Sequence, residues 1–302
     1  MAVLPYRARV RLSLPEHSRA RTVAIAGAGL AATLAPVLPG GPGIGAAHSG
    51  PAVRAQGRSA SAGRTPTRRR ARRAAGALPT GCRDRGGGVH RSGRGHGKVV
   101  ALTFDDGPAP DTPTFLGVLE HQHVPATFFE IGRQVAGHRP VLQRMLRDGD
   151  AIGNHTYTHP NLLGLPPARV RQELAGTSAA IHSTGSYRPC LFRPPYGAFN
   201  QTVVRIARGD GMATILWNVD PRDWSRPGTR AIEQRVLSAV RPGSIVIMHD
   251  GGGPRQETLA ALPHIIGVLR KRGYRFRTVA GLLGFKPTGA QPPATSRRRK
   301  TR

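Results

Sequence analysis

Val99-Val100-Ala101-Leu102-Thr103-Phe104-Asp105-Asp106-Gly107-Pro108 carries an apolar, β-rich run straight into two carboxylates and a Gly-Pro turn. The part from Val99 to Phe104 reads as a strand buried on both faces, the kind found in parallel sheets. Downstream the rhythm changes and then repeats. The amphipathic stretch Thr114 to His121, opened by Pro113, predicts a short helix, and Ala126 to Ile131 predicts a second strand. Further helices are expected at Pro140–Asp148, Pro167–Ser183, Gln201–Arg208, Thr229–Val240 and Thr258–Arg272. Strands fall between them at Ala151–Ile152, Leu191–Phe192, Met212–Val219, Ser244–Met248 and Tyr274–Thr278. Strand alternating with helix over about seven units predicts an α/β parallel sheet closed into a barrel or a partly open barrel.

The flanks differ in composition. Residues 1 to 97 are rich in Arg, Ala, Gly, Pro and Ser and poor in side chains that could be buried against the entropy of ordering. The expected organisation is a signal peptide over 1–47, a disordered basic linker over 48–96, one folded domain over 97–285 and a disordered basic tail over 286–302. The signal reading rests on the basic Arg7 to Arg21, the apolar, Ala-rich Thr22 to Leu38, and the small Gly45-Ala46-Ala47 that suits a signal peptidase. It places the protein outside the cell or at the wall. Pro36 and Pro39 interrupt the apolar run, so no stable membrane span is expected in the mature form.

Formal net charge is +29, yet 17 of the 45 Lys and Arg precede residue 98 and six follow residue 285. The remaining 22 face 14 acids, which leaves about +8 for the domain. Charge gathered in Arg-rich flanks does not mark a specific nucleic-acid face; it suits contact with anionic cell-wall polymers. Two cysteines, Cys82 and Cys190, are too few for a thiolate zinc site. In an exported protein they can pair with each other or remain two thiols, since the sequence sets no distance between them.

In a barrel of this kind the site is built at the carboxyl ends of the strands. Those positions hold Asp105-Asp106, His155 and His159, Arg193, Asp220 and Asp223, and His249-Asp250. Singly, each can be a turn, a loop surface or a surface charge; their recurrence on one face argues for a site. Two His four residues apart, followed by Pro160, suit a loop or a single turn, and with Asp106 they make a set that holds a catalytic zinc with one position open for water. The adjacent acids Asp105 and Asp106 suggest divided labour, one ligating the metal and the other staying beside that water as a general base, and Arg193 can hold a buried carboxylate by paired hydrogen bonds. His249, its pKa raised by an acidic neighbour such as Asp223, suits the acid that protonates a departing amine.

Five motifs, in order over residues 98 to 285, make the chain resemble the NodB-type polysaccharide deacetylases, carbohydrate esterase family four. TFDDGP stands at Thr103 to Pro108 and HTYTH at His155 to His159; Arg193-Pro194-Pro195-Tyr196-Gly197 is the third, DPRDW at Asp220 to Trp224 the fourth, and Ile247-Met248-His249 the fifth. The resemblance implies a distorted, partly open (β/α) barrel. It implies Asp105 as base, Asp106, His155 and His159 as ligands of a divalent metal (zinc, with cobalt or another ion as alternatives), and Arg193 as the group orienting the base. It further implies Tyr196 N–H as an oxyanion donor beside Pro195, Asp223 tuning the acid His249, Trp224 walling the groove and Ile247 lining the acetyl pocket. Ile247 stands where the family has Leu, Glu130 stands where it usually has an apolar residue, and Gly251-Gly252-Gly253 follows the acid. None of these removes a ligand or a catalytic group.

The expected activity is metal-assisted hydrolysis of N-acetyl amides in N-acetylglucosamine-containing polysaccharide, either peptidoglycan or chitin-like oligomers. Acetylxylan esterase activity is the alternative within enzymes, because the motifs do not separate amide from ester. A cationic wall-binding protein on a degenerate hydrolase scaffold is the alternative of another class, and the full set of ligands speaks against it.

Overall fold

The opening run forms the centre of the sheet. In a computed structural model, which describes residues 81–83, 88–93 and 97–288, the strands are β1 (Gly81–Arg83), β2 (Val89–His90), β3 (Val99–Gly107), β4 (Thr127–Glu130), β5 (Ala151–Asn154), β6 (Leu191–Phe192), β7 (Ala213–Ile215), β8 (Ile245–His249), β9 (Arg275–Phe276) and β10 (Lys286–Thr288). The helices are α1 (Thr112–Gln122), α2 (Gly132–Val135), α3 (Arg139–Asp148), α4 (Pro167–Gly185), α5 (Gln201–Gly209), α6 (Thr229–Ala239), α7 (Gln256–Lys271) and α8 (Val279–Leu282). None of the described helices is long and apolar enough to cross a membrane.

The main sheet runs β2-β7-β6-β5-β4-β3-β8, parallel throughout, with β9 pairing the start of β3. Single bridges bring its far side round to β8: Ser92, past the end strand β2, to Ser244, and Val219, past β7, to Val246. The sheet is therefore a barrel closed by contacts rather than by a ladder, as the expected partly open barrel requires. β7 is shorter than the expected Met212–Val219 for the same reason. After Ile215 the chain leaves β6 and crosses to β8, where Asn218 and Val219 donate to Ile245 O and Ile247 donates to Val219 O.

Alternation along β3 separates two cores. Val100, Leu102 and Phe104 pack outward with Phe115, Leu116 and Leu119 of α1 and Ile265, Ile266 and Leu269 of α7. Facing the barrel interior, Ala101 lies with Phe129, Leu191, Ala213, Ile215 and Ile245. Thr103 and Asp105 share that inner face, and both are buried.

Among the described residues, strands also lie on either side of residues 97–285. Val89 and His90 pair with Thr214 and Ile215 inside the stretch expected to be linker, and Gly81 to Arg83 pair antiparallel with Lys286 to Thr288. Strands of two or three residues carry no readable period, which is why composition hid them. Cys82 and Cys190 form a disulfide with a Cα–Cα distance of 5.3 Å, settling the choice the sequence left open. The expected signal peptide, most of the basic linker and the tail beyond residue 288 lie outside the described residues.

Candidate active site

Strand alternation brings Thr103 and Asp105 to one buried guanidinium. Arg193, fully buried just after β6, donates from Nη1 to Thr103 Oγ1 at 2.8 Å and to Asp105 Oδ1 at 2.7 Å. Its other nitrogens reach Ile215 O at 3.4 Å and Leu216 O at 3.3 Å, the carbonyls at which β7 breaks off. The Phe129 ring lies 4.1 Å from the guanidinium carbon. Burial lowers the Arg193 pKa while Asp105 opposes the shift. A charge this deep persists because each polar edge has an acceptor.

Asp106 points elsewhere because the strand bulges there. Register with β4 shifts between Asp105 and Gly107, and Asp106 adopts φ 74°, a left-handed conformation that is rare outside glycine. Its carboxylate thereby meets the loop that follows β5. Asp106 Oδ1 lies 3.5 Å from His155 Nε2 and 3.2 Å from His159 Nε2, and the one ligand atom offered by each of the three residues lies within 4.8 Å of the others. His155 Nδ1 sits 2.7 Å from Arg193 O. A carbonyl can only accept, so Nδ1 carries the proton, and in the neutral ring the Nε2 lone pair is aimed at a carboxylate oxygen that is buried and without a hydrogen-bond partner. Lone pair facing lone pair is repulsive unless a cation or an extra proton lies between them. Two imidazole nitrogens and one carboxylate, with one ring oriented through its far nitrogen, fit a divalent metal of the zinc type. Burial raises the Asp106 pKa, but where the two imidazoles carry the extra proton and donate from Nε2 they outweigh it and hold the carboxyl well below the usual carboxylate range.

On the other side of β3, Asp105 and His249 are register partners on adjacent strands. His249 Nδ1 lies 2.8 Å from Asp223 Oδ1, and His249 N–H donates to Asp223 Oδ2 at 2.8 Å. Thr258 Oγ1, in the first turn of α7, donates to the same Oδ2 at 2.9 Å. Burial lowers the imidazole pKa, but Asp223, with help from the charges of Asp105 and Asp106, outweighs it and leaves the pKa raised. One strand-end face thus carries a metal-type cluster, a carboxylate locked to an arginine and an imidazole locked to an aspartate.

The family model for polysaccharide deacetylase matches residues 92–215. A chitooligosaccharide deacetylase of Bradyrhizobium sp. (strain ANU 289) is 42% identical over 198 residues, which cover 61% of this chain and 90% of that one. The chain belongs to the polysaccharide deacetylase family. A peptidoglycan-N-acetylglucosamine deacetylase of Bacillus cereus is 39% identical over 192 residues, covering 63% of this chain and 90% of the relative. Among solved structures, a peptidoglycan N-acetylglucosamine deacetylase bound to 4-naphthalen-1-yl-N-oxidanyl-benzamide superposes with a TM-score of 0.64 at 32% identity, covering 68% of this chain and 95% of that one. The NodB-type, carbohydrate-esterase-four barrel expected from the motifs is the fold observed.

The other expected residues of this deacetylase-family chain surround the same face. Tyr196 is 69% exposed at φ 60°, its ring edge-on to His159 with centroids 4.8 Å apart; Pro195 beside it is buried. Trp224 is 54% exposed next to Asp223, and Ile247 is buried two residues before His249. Asp220 takes no part in the cluster; its Oδ1 accepts the N–H of Arg222 at 2.7 Å and shapes the loop that carries Asp223.

Glu130 and Asp250 are fully buried and close behind the Asp105-Asp106 turn. A Cβ at Gly107 would lie 2.9 Å from Glu130 Oε2 and 2.7 Å from Asp250 Oδ2, so only glycine fits between them. Thr112 Oγ1 donates to Asp250 Oδ2. Burial pushes both carboxyls above their ordinary range; the charges of Asp250, Asp105 and Asp106 add to it at Glu130, and those of Asp106 and Asp105 add to it at Asp250, where the Thr112 hydroxyl works against it. The sequence marked Glu130 only as a departure and Asp250 only as a strand-end acid. Arg255, which touches two of the site's loops, was passed over because it lies at a helix start rather than at a strand end.

Proposed function

We propose that this chain hydrolyses the N-acetyl amide of N-acetylglucosamine units in a polysaccharide. The observation that carries the reading is the arrangement around β3: Asp106, His155 and His159 converge on one point, while Asp105 on Arg193 and His249 on Asp223 stand on adjacent strands beside it. Asp106, His155 and His159 would hold the metal, zinc being the ion that best suits two imidazoles and a carboxylate. Bound there, such an ion supplies Lewis acidity toward water and toward an acetyl carbonyl.

The remaining steps belong to the chain's own side chains. Asp105, fixed by Arg193, takes a proton from the attacking water. Among the described residues the Tyr196 N–H donates to no acceptor, so it is free to meet the oxygen on which charge develops. His249 gives its proton to the departing amine, and the raised pKa supplied by Asp223 keeps that proton in place near neutral pH. The C–N bond breaks, and acetate and a glucosamine unit leave. Trp224 and Tyr196, both exposed beside the cluster, offer aromatic faces to a sugar ring, and Ile247 offers an apolar wall to the acetyl methyl.

We also read the protein as exported, with its basic segments contacting anionic wall polymers. The Cys82–Cys190 disulfide supports an oxidising compartment. Acetate release from peptidoglycan, N-acetylglucosamine oligomers and acetylated xylan, with and without a chelator and after zinc or cobalt is restored, tests the activity. Release from an N-acetylated glycan, lost on chelation and recovered with metal, is the expected result. Release from xylan alone points to the esterase, and undiminished turnover after complete metal removal overturns the ligand assignment.

A further inference from the structure

Arg255 is buried, with 5% of its surface exposed, yet takes part in no ion pair among the described residues. It stands at the N-cap of α7, a helix of 16 residues, where the helix dipole disfavours a cation. A guanidinium in such a place is costly unless its nitrogens find acceptors.

Each of the three nitrogens finds one on loops of the active face. Nε donates to Gly251 O at 2.6 Å and Nη2 to Gly252 O at 3.1 Å, while Nη1 comes within 3.5 Å of Trp224 O. The two glycines held in this way lie against the Asp106 carbonyl and against Oδ2, whereas the histidines approach Oδ1. A Cβ on Gly251 would sit 2.0 Å from Asp106 O, and one on Gly252, at φ +71°, would sit 2.5 Å from Asp106 Oδ2. The Asp250 and Gly251 N–H groups donate to Asp105 O at 3.1 and 3.3 Å. The glycine segment is therefore a strap drawn across the Asp105-Asp106 turn, and Arg255 is the group holding it down.

The geometry points to Arg255 as a positioning residue: by gripping the Gly251 and Gly252 carbonyls it fixes the strap against Asp106, and so sets the direction in which Asp106 Oδ1 faces His155 and His159. It touches no reacting atom. The consequence for metal affinity rests on the proposed ligand set; the grip itself does not.

Two readouts separate them. In metal-free protein, amide hydrogen exchange over residues 251–253 reports whether the strap is held. Arg255→Lys, a point charge unable to fan out over several carbonyls, is expected to speed that exchange about tenfold or more and to weaken zinc binding, titrated against a chromogenic chelator, by about 10–100-fold. Gly252→Ala, which pushes the strap off Asp106 from the other side, is expected to weaken zinc equally and decides the matter if the Arg255 variant does not fold. Wild-type exchange in Arg255→Lys, or wild-type zinc affinity in both variants, overturns the proposal. Faster exchange in a chain whose wild type and His159→Ala form bind zinc alike keeps the grip and removes the ligand set instead.

Discussion

Asp105 and His249 lie side by side on β3 and β8, each fixed by its own buried partner, so each can be altered without disturbing the other's support. Asp105→Asn and His249→Ala are each expected to cut deacetylation by about 10²–10⁴-fold, the range for losing a general acid or base, with an unchanged far-UV spectrum. Wild-type-like turnover in either would contradict the roles. Asp223→Asn acts on pH dependence. Asp223 is the main influence raising the His249 pKa, so its removal is expected to move the alkaline limb of the kcat/KM profile to lower pH. The same pair bears on stability: the folded pKa lies above the unfolded value of about 6.5, so its contribution is complete below that pH and is lost as pH rises through the folded pKa. The reactive residues were legible in the sequence because each follows an apolar run at a strand end. Arg255 and the Glu130–Asp250 pair were not. Their meaning depends on which backbone atoms fold back onto them, and no spacing records that.

The packing of β4 against β5 shows how an element supports the site. Gly153 of β5 is the register partner of Phe129 on β4. A Cβ at Gly153 would lie 2.4 Å from the Phe129 ring, and that ring in turn covers the Arg193 guanidinium. Gly153→Ala is therefore expected to destabilise the domain by about 1–3 kcal/mol, lowering Tm by about 2–4 °C for each kcal/mol. It should also reduce activity, since the displaced ring moves toward the arginine that fixes Asp105. A melting curve and an acetate assay on one preparation check both, and unchanged values contradict this packing argument. Helices over eight residues long were placed to within a few positions, because their apolar period and flanking Pro, Gly or Asn are local signals: Gly149 ends α3 at φ 89°, and Asn200 Oδ1 accepts from Val203 at 3.0 Å to start α5. β7 was overextended because a run that pairs with β6 and then crosses to β8 has the same apolar composition throughout. The four-residue α2 and α8 were missed because a single turn has no period to read.

At the scale of the molecule, the Cys82–Cys190 bond spans 108 residues and ties the start of the described chain to the segment just before β6. Loop-closure entropy for a link of that length is worth about 4–5 kcal/mol. Reduction is accordingly expected to lower the urea midpoint while leaving turnover at low temperature near its oxidised value, since neither sulfur reaches the catalytic side chains. A midpoint indifferent to reductant would contradict the link. The nearby pairing of β1 with β10 has a different consequence. Because Gly81 to Arg83 lie alongside Lys286 to Thr288, the first and last described residues of this body adjoin. A domain with adjoining ends behaves as a cassette, able to be spliced into a surface loop of a host protein without stretching either partner. It can also be circularly permuted, with a short bridge from residue 288 to residue 81 and new termini opened in the exposed turn at Gly209 to Gly211. Catalysis in such a rewired chain would show that the order in which the strands are synthesised is incidental to the barrel they build.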